Sequence, residues 1–285
     1  MSDSKVRKII YFLFIFVAIS IYLYDNFKSS SAYHYYGNNI YVHFIDVGQA
    51  DSILITCKDE SMLIDAGNND DGDMLVNYFK NMGINSFKYV VGTHAHEDHI
   101  GGMDDIIDNF DIGTFYMPDV ITTTKTFEDV LDSLEKKNYY FDTPKTDSEF
   151  NVCDASFKVI YVGDNEDDLN STSIVLKMKH GNNTFLFTGD MTSEVESKVI
   201  NKDISADVLK VAHHGSNTSS SKAFLDKVRP KYAIISCGLN NKYNHPHDVI
   251  LKRLKNIDAS IYRTDEVGTI VMESDGNVLK VTSEK

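Results

Sequence analysis

From residue 40 onward, apolar positions come in short runs that switch between a two-residue and a three-to-four-residue period. Residues 40–46, 52–57 and 62–65 read as strands, and a helical stretch follows at 73–82. Phe87-Lys88-Tyr89-Val90-Val91-Gly92 then reads as a buried strand that carries the chain to His94. Helical spacing or capping residues mark 102–110, 124–138, 192–200, 220–228 and 248–256. Strand-like runs occupy 157–162, 172–178, 184–188, 207–212, 232–236 and 269–273, with hairpin chemistry at Gly181-Asn182-Asn183. This mixed order predicts sheets covered by helices in one α/β domain over residues 40–285, without an internal boundary.

The most apolar stretch precedes that domain. Residues 9–24 carry no charge, and Lys5, Arg7 and Lys8 stand before them. As a helix the stretch covers roughly 24 Å, slightly less than a hydrocarbon core, and its outer tyrosines suit the headgroup layer. The expected arrangement is a basic cytoplasmic N-terminus at 1–8, a transmembrane anchor at 9–24, a tether at 25–39 and a hydrolase domain at 40–285 facing outward. Ser30-Ser31-Ala32 also resembles a small-residue cleavage site, so a cleaved signal and a secreted domain form the competing reading.

Charge narrows the partners. The chain has a formal charge of −14, and without residues 1–28 it has 24 basic against 40 acidic side chains. Such an acidic domain opposes non-specific nucleic-acid affinity, which needs Lys and Arg to displace counterions from phosphates, although bound divalent cations offset the field locally. The cysteines, Cys57, Cys153 and Cys237, are odd in number, widely spaced and in no metal-binding pattern, so the expectation is three small buried hydrophobes without a disulfide.

The chemistry gathers in the histidines. Seven of ten fall in three clusters: Thr93-His94-Ala95-His96-Glu97-Asp98-His99, His213-His214, and His245-Pro246-His247. His94 and His96, two apart on a loop leaving a strand, can share one ion, while Asp98 and His99 turn toward a second. Imidazole and carboxylate suit Zn²⁺, with Mn²⁺ or Fe²⁺ also compatible, and the absence of nearby cysteine points to an open hydrolytic site. Asp190, ending an apolar strand, is read either as a carboxylate bridging two cations or as the N-cap of the next helix. Asp65 is read either as a carboxylate orienting a histidine or as a turn residue.

Phe44-Ile45-Asp46-Val47-Gly48-Gln49-Ala50-Asp51-Ser52, the histidine cluster with Gly101-Gly102, Thr188-Gly189-Asp190, Leu209-Lys210-Val211-Ala212-His213-His214-Gly215-Ser216, and His245-Pro246-His247 follow one another in an order that resembles the metallo-β-lactamase superfamily. Within it they resemble the extracytoplasmic hydrolase domain of ComEC-type competence proteins. The resemblance spans 40–281 and implies a four-layer αβ/βα sandwich with metals at one edge. It implies His94 and His96 on a first metal, Asp98 and His99 on a second, Asp190 bridging, and His247 or His245 completing the second site. A further superfamily histidine is missing, and Asn170 occupies its region, which implies a weaker first site or one completed by water or His213.

The implied activity is that of a metal-dependent hydrolase, a phosphodiesterase or nuclease using one or two Zn ions, or Mn. A water held by Asp98 would attack phosphorus while His213 or His214 orients the phosphate and assists the leaving oxygen. Tyr243 is a substrate-binding candidate, and Ser216 is read as a phosphate contact or a turn residue. The expected partners are a phosphoester substrate, DNA among the candidates, and the membrane. Alternatives are hydrolysis of small phosphoesters of the phosphorylcholine type or of lactones, and an inactive surface module. With one hydrophobic segment, the multi-span channel of the resembled proteins has no counterpart, so DNA translocation is not expected.

Overall fold

The computed structural model describes residues 37–285 except 59 and 165–167. The expected anchor at 9–24 and all of the tether before residue 37 lie outside the described residues, and among those described no helix is long and apolar enough to cross a membrane.

Fifteen described strands build two sheets. In chain order they are β1 (Ile40–Phe44), β2 (Ser52–Thr56), β3 (Ser61–Ala66), β4 (Ser86–Val91), β5 (Asp111–Tyr116), β6 (Phe141–Asp142), β7 (Glu149–Val152), β8 (Ala155–Tyr161), β9 (Val175–His180), β10 (Asn183–Phe187), β11 (Val208–Lys210), β12 (Tyr232–Ile235), β13 (Ser260–Arg263), β14 (Ile270–Ser274) and β15 (Leu279–Ser283). One sheet runs β15-β14-β1-β2-β3-β4-β5-β6 and the other β13-β12-β11-β10-β9-β8-β7.

Strand alternation explains the layering. Ile53, Ile55, Met62 and Ile64 point inward and meet Phe157, Leu176, Phe185 and Phe187 of the second sheet in a core between the sheets. The intervening Leu54, Leu63 and Val90 point outward under Leu75, Phe79 and Ile106 of the helices. On the other side Leu186, Leu209 and Ile235 lie under Val195, Phe224 and Ile250. Both faces of the central strands are therefore buried, and each reads as a continuous apolar run. The fold is the α/β four-layer sandwich.

Element boundaries follow local chemistry. The helix Lys125–Lys137 is capped by Thr124, whose side chain accepts from Phe127 N, and ends at Asn138 in the left-handed region. The strand expected at 172–178 starts later, at Val175. Thr172 Oγ1 donates to Leu169 O at 2.7 Å and Ser173 Oγ to Asn170 O at 2.8 Å, so a 3₁₀ turn takes the first residues. The sequence reading passed over β5, β6, β7, β13 and β15. Of these, β6, β7, β13 and β15 are edge strands, β6 with only two residues, whereas the six-residue β5 is interior, contains Gly113 and buries only part of its length.

The cysteine expectation is corrected. Cys57, after β2, and Cys153, between β7 and β8, form a disulfide that ties the two sheets together, with a Cα–Cα distance of 6.2 Å across a sequence separation of 96. Nothing in the local spacing marks residues so distant as neighbours. Cys237 is free and buried, as expected.

Closing a loop of that length removes about 4–5 kcal/mol of unfolded-state entropy in the chain-entropy account. Denatured, unreduced protein should titrate with one thiol and reduced protein with three. Cys153→Ser should lower the thermal midpoint by about 10 °C; three thiols before reduction would exclude the bond.

Candidate metal centre

The candidate site lies where β3, β4, β10, β11 and β12 run out at one end of the sandwich. Asp65, next to last in β3, has φ 60°, while His213 and His214, just past β11, have φ 51° and 52°. Left-handed backbone is costly for such residues, and its concentration here aims three side chains at one place. Gly101 makes the approach possible: a Cβ there would lie 2.2 Å from Asn68 C and Asn69 N. Its N–H donates to Gly67 O at 2.9 Å, closing the His99 turn onto the loop after β3.

Asp98, His99, Asp190 and His214 each bring one ligand atom within 4.8 Å of the others. His99 Nε2 lies 3.3 Å from Asp190 Oδ1, and His214 Nε2 lies 3.2 Å from Asp98 Oδ2 and 3.8 Å from Asp190 Oδ2. His99 Nε2 and Asp190 Oδ1 are buried and make no hydrogen bond. Buried polar atoms are ordinarily satisfied, so two that converge on one point fit a cation. Beside them His94 Nε2 faces His96 Nδ1 at 3.0 Å, an arrangement suited to one shared proton or one ion.

A second set of contacts orients the rings. Asp65 Oδ2 accepts from His99 Nδ1 at 2.8 Å, and the same carboxylate accepts from Thr93 N at 2.7 Å and Thr93 Oγ1 at 2.8 Å. His214 Nδ1 donates to Ser236 O at 2.9 Å. With Nδ1 occupied in both rings, Nε2 is left to face the cluster.

Electrostatics agree with a cation-seeking site. Burial alone would lower His99 and His214, but Asp190 and Asp65 hold His99 well above its ordinary value, and Asp190 and Asp51 push His214 up to about 10. Burial would raise Asp190, yet His99 and His214 keep it well below the carboxylate range. Protons on these rings therefore neutralise the carboxylates when no metal is bound. His94, by burial and by the neighbouring His99 charge, is held well below its ordinary value and stays neutral.

The remaining expected residues separate. His213, partly exposed, and His245 and Tyr243 line a cavity of about 620 Å³ whose floor is Asp98, Asp190 and His214. His245 stacks between Tyr243 and His214, at ring-centroid distances of 5.6 and 6.4 Å, and burial brings it down to about 4. His247 does not line the cavity: its Nδ1 accepts from Asn217 N at 3.1 Å at the start of the helix Asp248–Lys255. Of the two alternatives for completing the second site, His245 is thus the one the fold brings near.

Of the two readings of Ser216, the geometry accords with the turn residue: it is buried and its Oγ accepts from Thr218 Oγ1 at 3.0 Å. Asp190 is not an N-cap; Thr192 holds that position before the helix Ser193–Val199. Asp65 orients His99. Sequence reasoning assigned no role to Asp51 and Lys210, a fully buried ion pair at 2.6 Å. A lysine within the apolar run Val208-Leu209-Lys210-Val211 was the available signal.

The metallo-β-lactamase superfamily model matches residues 45–239. The chain belongs to the metallo-β-lactamase superfamily. Superfamily membership carries the coarse description of a metal-dependent hydrolase, and the chain is related to competence proteins. ComE operon protein 3 of Bacillus subtilis (strain 168) is 31% identical over 250 residues, covering 80% of this chain and 32% of that protein. Recombination protein 2 of Haemophilus influenzae is 29% identical over 244 residues, covering 80% of this chain and 28% of that protein. The chain thus spans about a third of the length of these relatives. Among solved structures, the metallo-β-lactamase fold protein YhfI from Bacillus subtilis superposes with a TM-score of 0.57 at 13% identity, covering 82% of this chain and all of that one, a likeness of fold.

Because His99 and His214 carry protons in the metal-free cluster, a metal bound at their Nε2 atoms must displace them. Affinity for Zn²⁺ should therefore rise by about one to two log units per pH unit from pH 6 to 8. Equilibrium dialysis across that range checks this, and a flat profile contradicts ligation by these rings.

Proposed function

We propose that this chain is a divalent-metal-dependent phosphodiesterase, with Zn²⁺ or Mn²⁺ at the Asp98, His99, Asp190 and His214 cluster and a weaker first site at His94 and His96. The observation that carries the reading is the convergence of His99 Nε2 and Asp190 Oδ1, buried, 3.3 Å apart and without a hydrogen bond, beneath an open cavity lined by Asp98, Asp190 and His214. When bound, the ions supply Lewis acidity toward a phosphoryl oxygen and make a water acidic.

The protein residues divide the rest of the chemistry. Asp98 is held ionised, well below the carboxylate range, because the hydrogen bond from His214 and the His99 charge outweigh its burial. Its partly exposed, ionised carboxylate can accept a hydrogen bond from a water and so orient it. Burial lowers His213 and keeps it neutral; its Nδ1 lies 3.0 Å from Thr218 Oγ1, and its Nε2, 3.6 Å from Asp190 Oδ2, stands over the cavity floor where it can contact a phosphoryl oxygen. Tyr243 and Asn241, which also line the cavity, can contact the ester substituent.

Relatives named for a competence operon and for recombination support a polynucleotide as substrate. A second reading, small phosphoesters of the phosphorylcholine type or lactones, is favoured by the acidic domain and by Glu97 on the cavity rim. The Cys57–Cys153 disulfide supports an oxidising, extracytoplasmic location, which accords with residues 9–24 as an anchor.

Metal-loaded protein should be compared on DNA, bis-p-nitrophenyl phosphate, phosphorylcholine esters and lactones. Asp190→Ala should lose metal and turnover together. His213→Ala should keep its metal and lose about 10²–10³ in kcat, the effect of removing one positioned donor. Hydrolysis of lactones alone would replace the phosphodiesterase reading, and metal loss in His213→Ala would move that residue into the ligand set.

A further inference from the structure

Lys210 is only 1% exposed, and its Nζ lies 2.6 Å from Asp51 Oδ2 and 3.2 Å from Val211 O. A buried ion pair adds little stability over apolar residues of similar size, because desolvation offsets its attraction. Its position in the fold suggests another role. Asp51, Asp65 and His99 form a second group whose ligand atoms lie within 4.8 Å of one another, and the ammonium of Lys210 sits against its Asp51 member. The other Asp51 oxygen lies 3.4 Å from His214 Nδ1. The Asp51 backbone also joins both loops, its N–H donating to Asp98 O at 3.0 Å and its carbonyl accepting from Gly67 N at 2.8 Å.

We propose that the Lys210–Asp51 pair is a positioning device of the metal centre. The ammonium takes the cation position that Asp51, Asp65 and His99 would otherwise offer, so the divalent ions are confined to the cavity floor. Asp51, held in place by Lys210, sets its other oxygen 3.4 Å from His214 Nδ1 and so backs, from the side, the ring that Ser236 O holds by hydrogen bond with Nε2 facing Asp98 and Asp190. Neither residue lines the cavity, and the side-chain contact of the pair with the cluster is the one to His214, so the pair acts on the ligand and not on the substrate.

The inference rests on the reading of His214 as a ligand, and Zn²⁺ affinity of the full chain separates the two. Asp51→Asn and Lys210→Met should each weaken affinity by about 10–100-fold, the range for groups that orient a ligand. In a His214→Ala background, Lys210→Met should change it by less than about twofold, since effects through a shared residue do not add. Single variants strand a buried charge, so the charge-free Lys210→Met/Asp51→Leu protein is the control. It should keep a thermal midpoint near that of the parent while still binding Zn²⁺ at least about tenfold more weakly. Recovery of parental affinity in that protein would reduce the pair to a structural ion pair and overturn the proposal. Unchanged affinity in His214→Ala alone would remove the ligand reading and the inference with it. Normal loss in His214→Ala with none in Lys210→Met would remove only the inference.

Discussion

The structure depends on housing carboxylates inside a protein. Asp51, Asp65 and Asp190 are almost fully buried, and Asp98 is partly so. Isolated charges at such positions would cost several kcal/mol each. Lys210 offsets Asp51, backbone and hydroxyl donors from Thr93 serve Asp65, and His99 and His214 stand against Asp98 and Asp190. The two rings meet the carboxylates through their Nε2 atoms, the same atoms that a cation at the centre would use.

The fold serves that requirement through strand ends. Strands buried on both faces cannot carry charge along their length, so polar residues collect where β3, β4, β10, β11 and β12 leave the sheets. There the backbone turns sharply, through the left-handed residues Asp65, His213 and His214, and brings side chains from five segments together. At the far ends of β2 and β7 the Cys57–Cys153 bond holds the two sheets together, so the sandwich is clamped by a covalent link at one end and by ion contacts at the other.

Within the site, rigidity and access are divided between the paired histidines. His214 is buried and fixed by Ser236 O, suited to ligation; His213 is partly exposed and lines the cavity, suited to substrate. The later pair splits likewise, with His245 inside the cavity wall and His247 outside it.

Composition and spacing alone determined the domain class, the strand-to-loop delivery of His94, His96, Asp98, His99 and Asp190, and the acidic character of the domain. These are properties of contiguous segments, in which period and neighbours carry the information. Tertiary structure decided which member of each histidine pair faces the cluster, because adjacent residues differ only in the turn that follows the strand. It also decided the Cys57–Cys153 bond, the Lys210–Asp51 pair and the role of Asp65. Each joins residues tens to more than a hundred positions apart, and their proximity exists only once the two sheets have packed. Edge strands such as β6 and β15 were illegible for a related reason: their conformation is imposed by pairing with a neighbour more than by their own pattern.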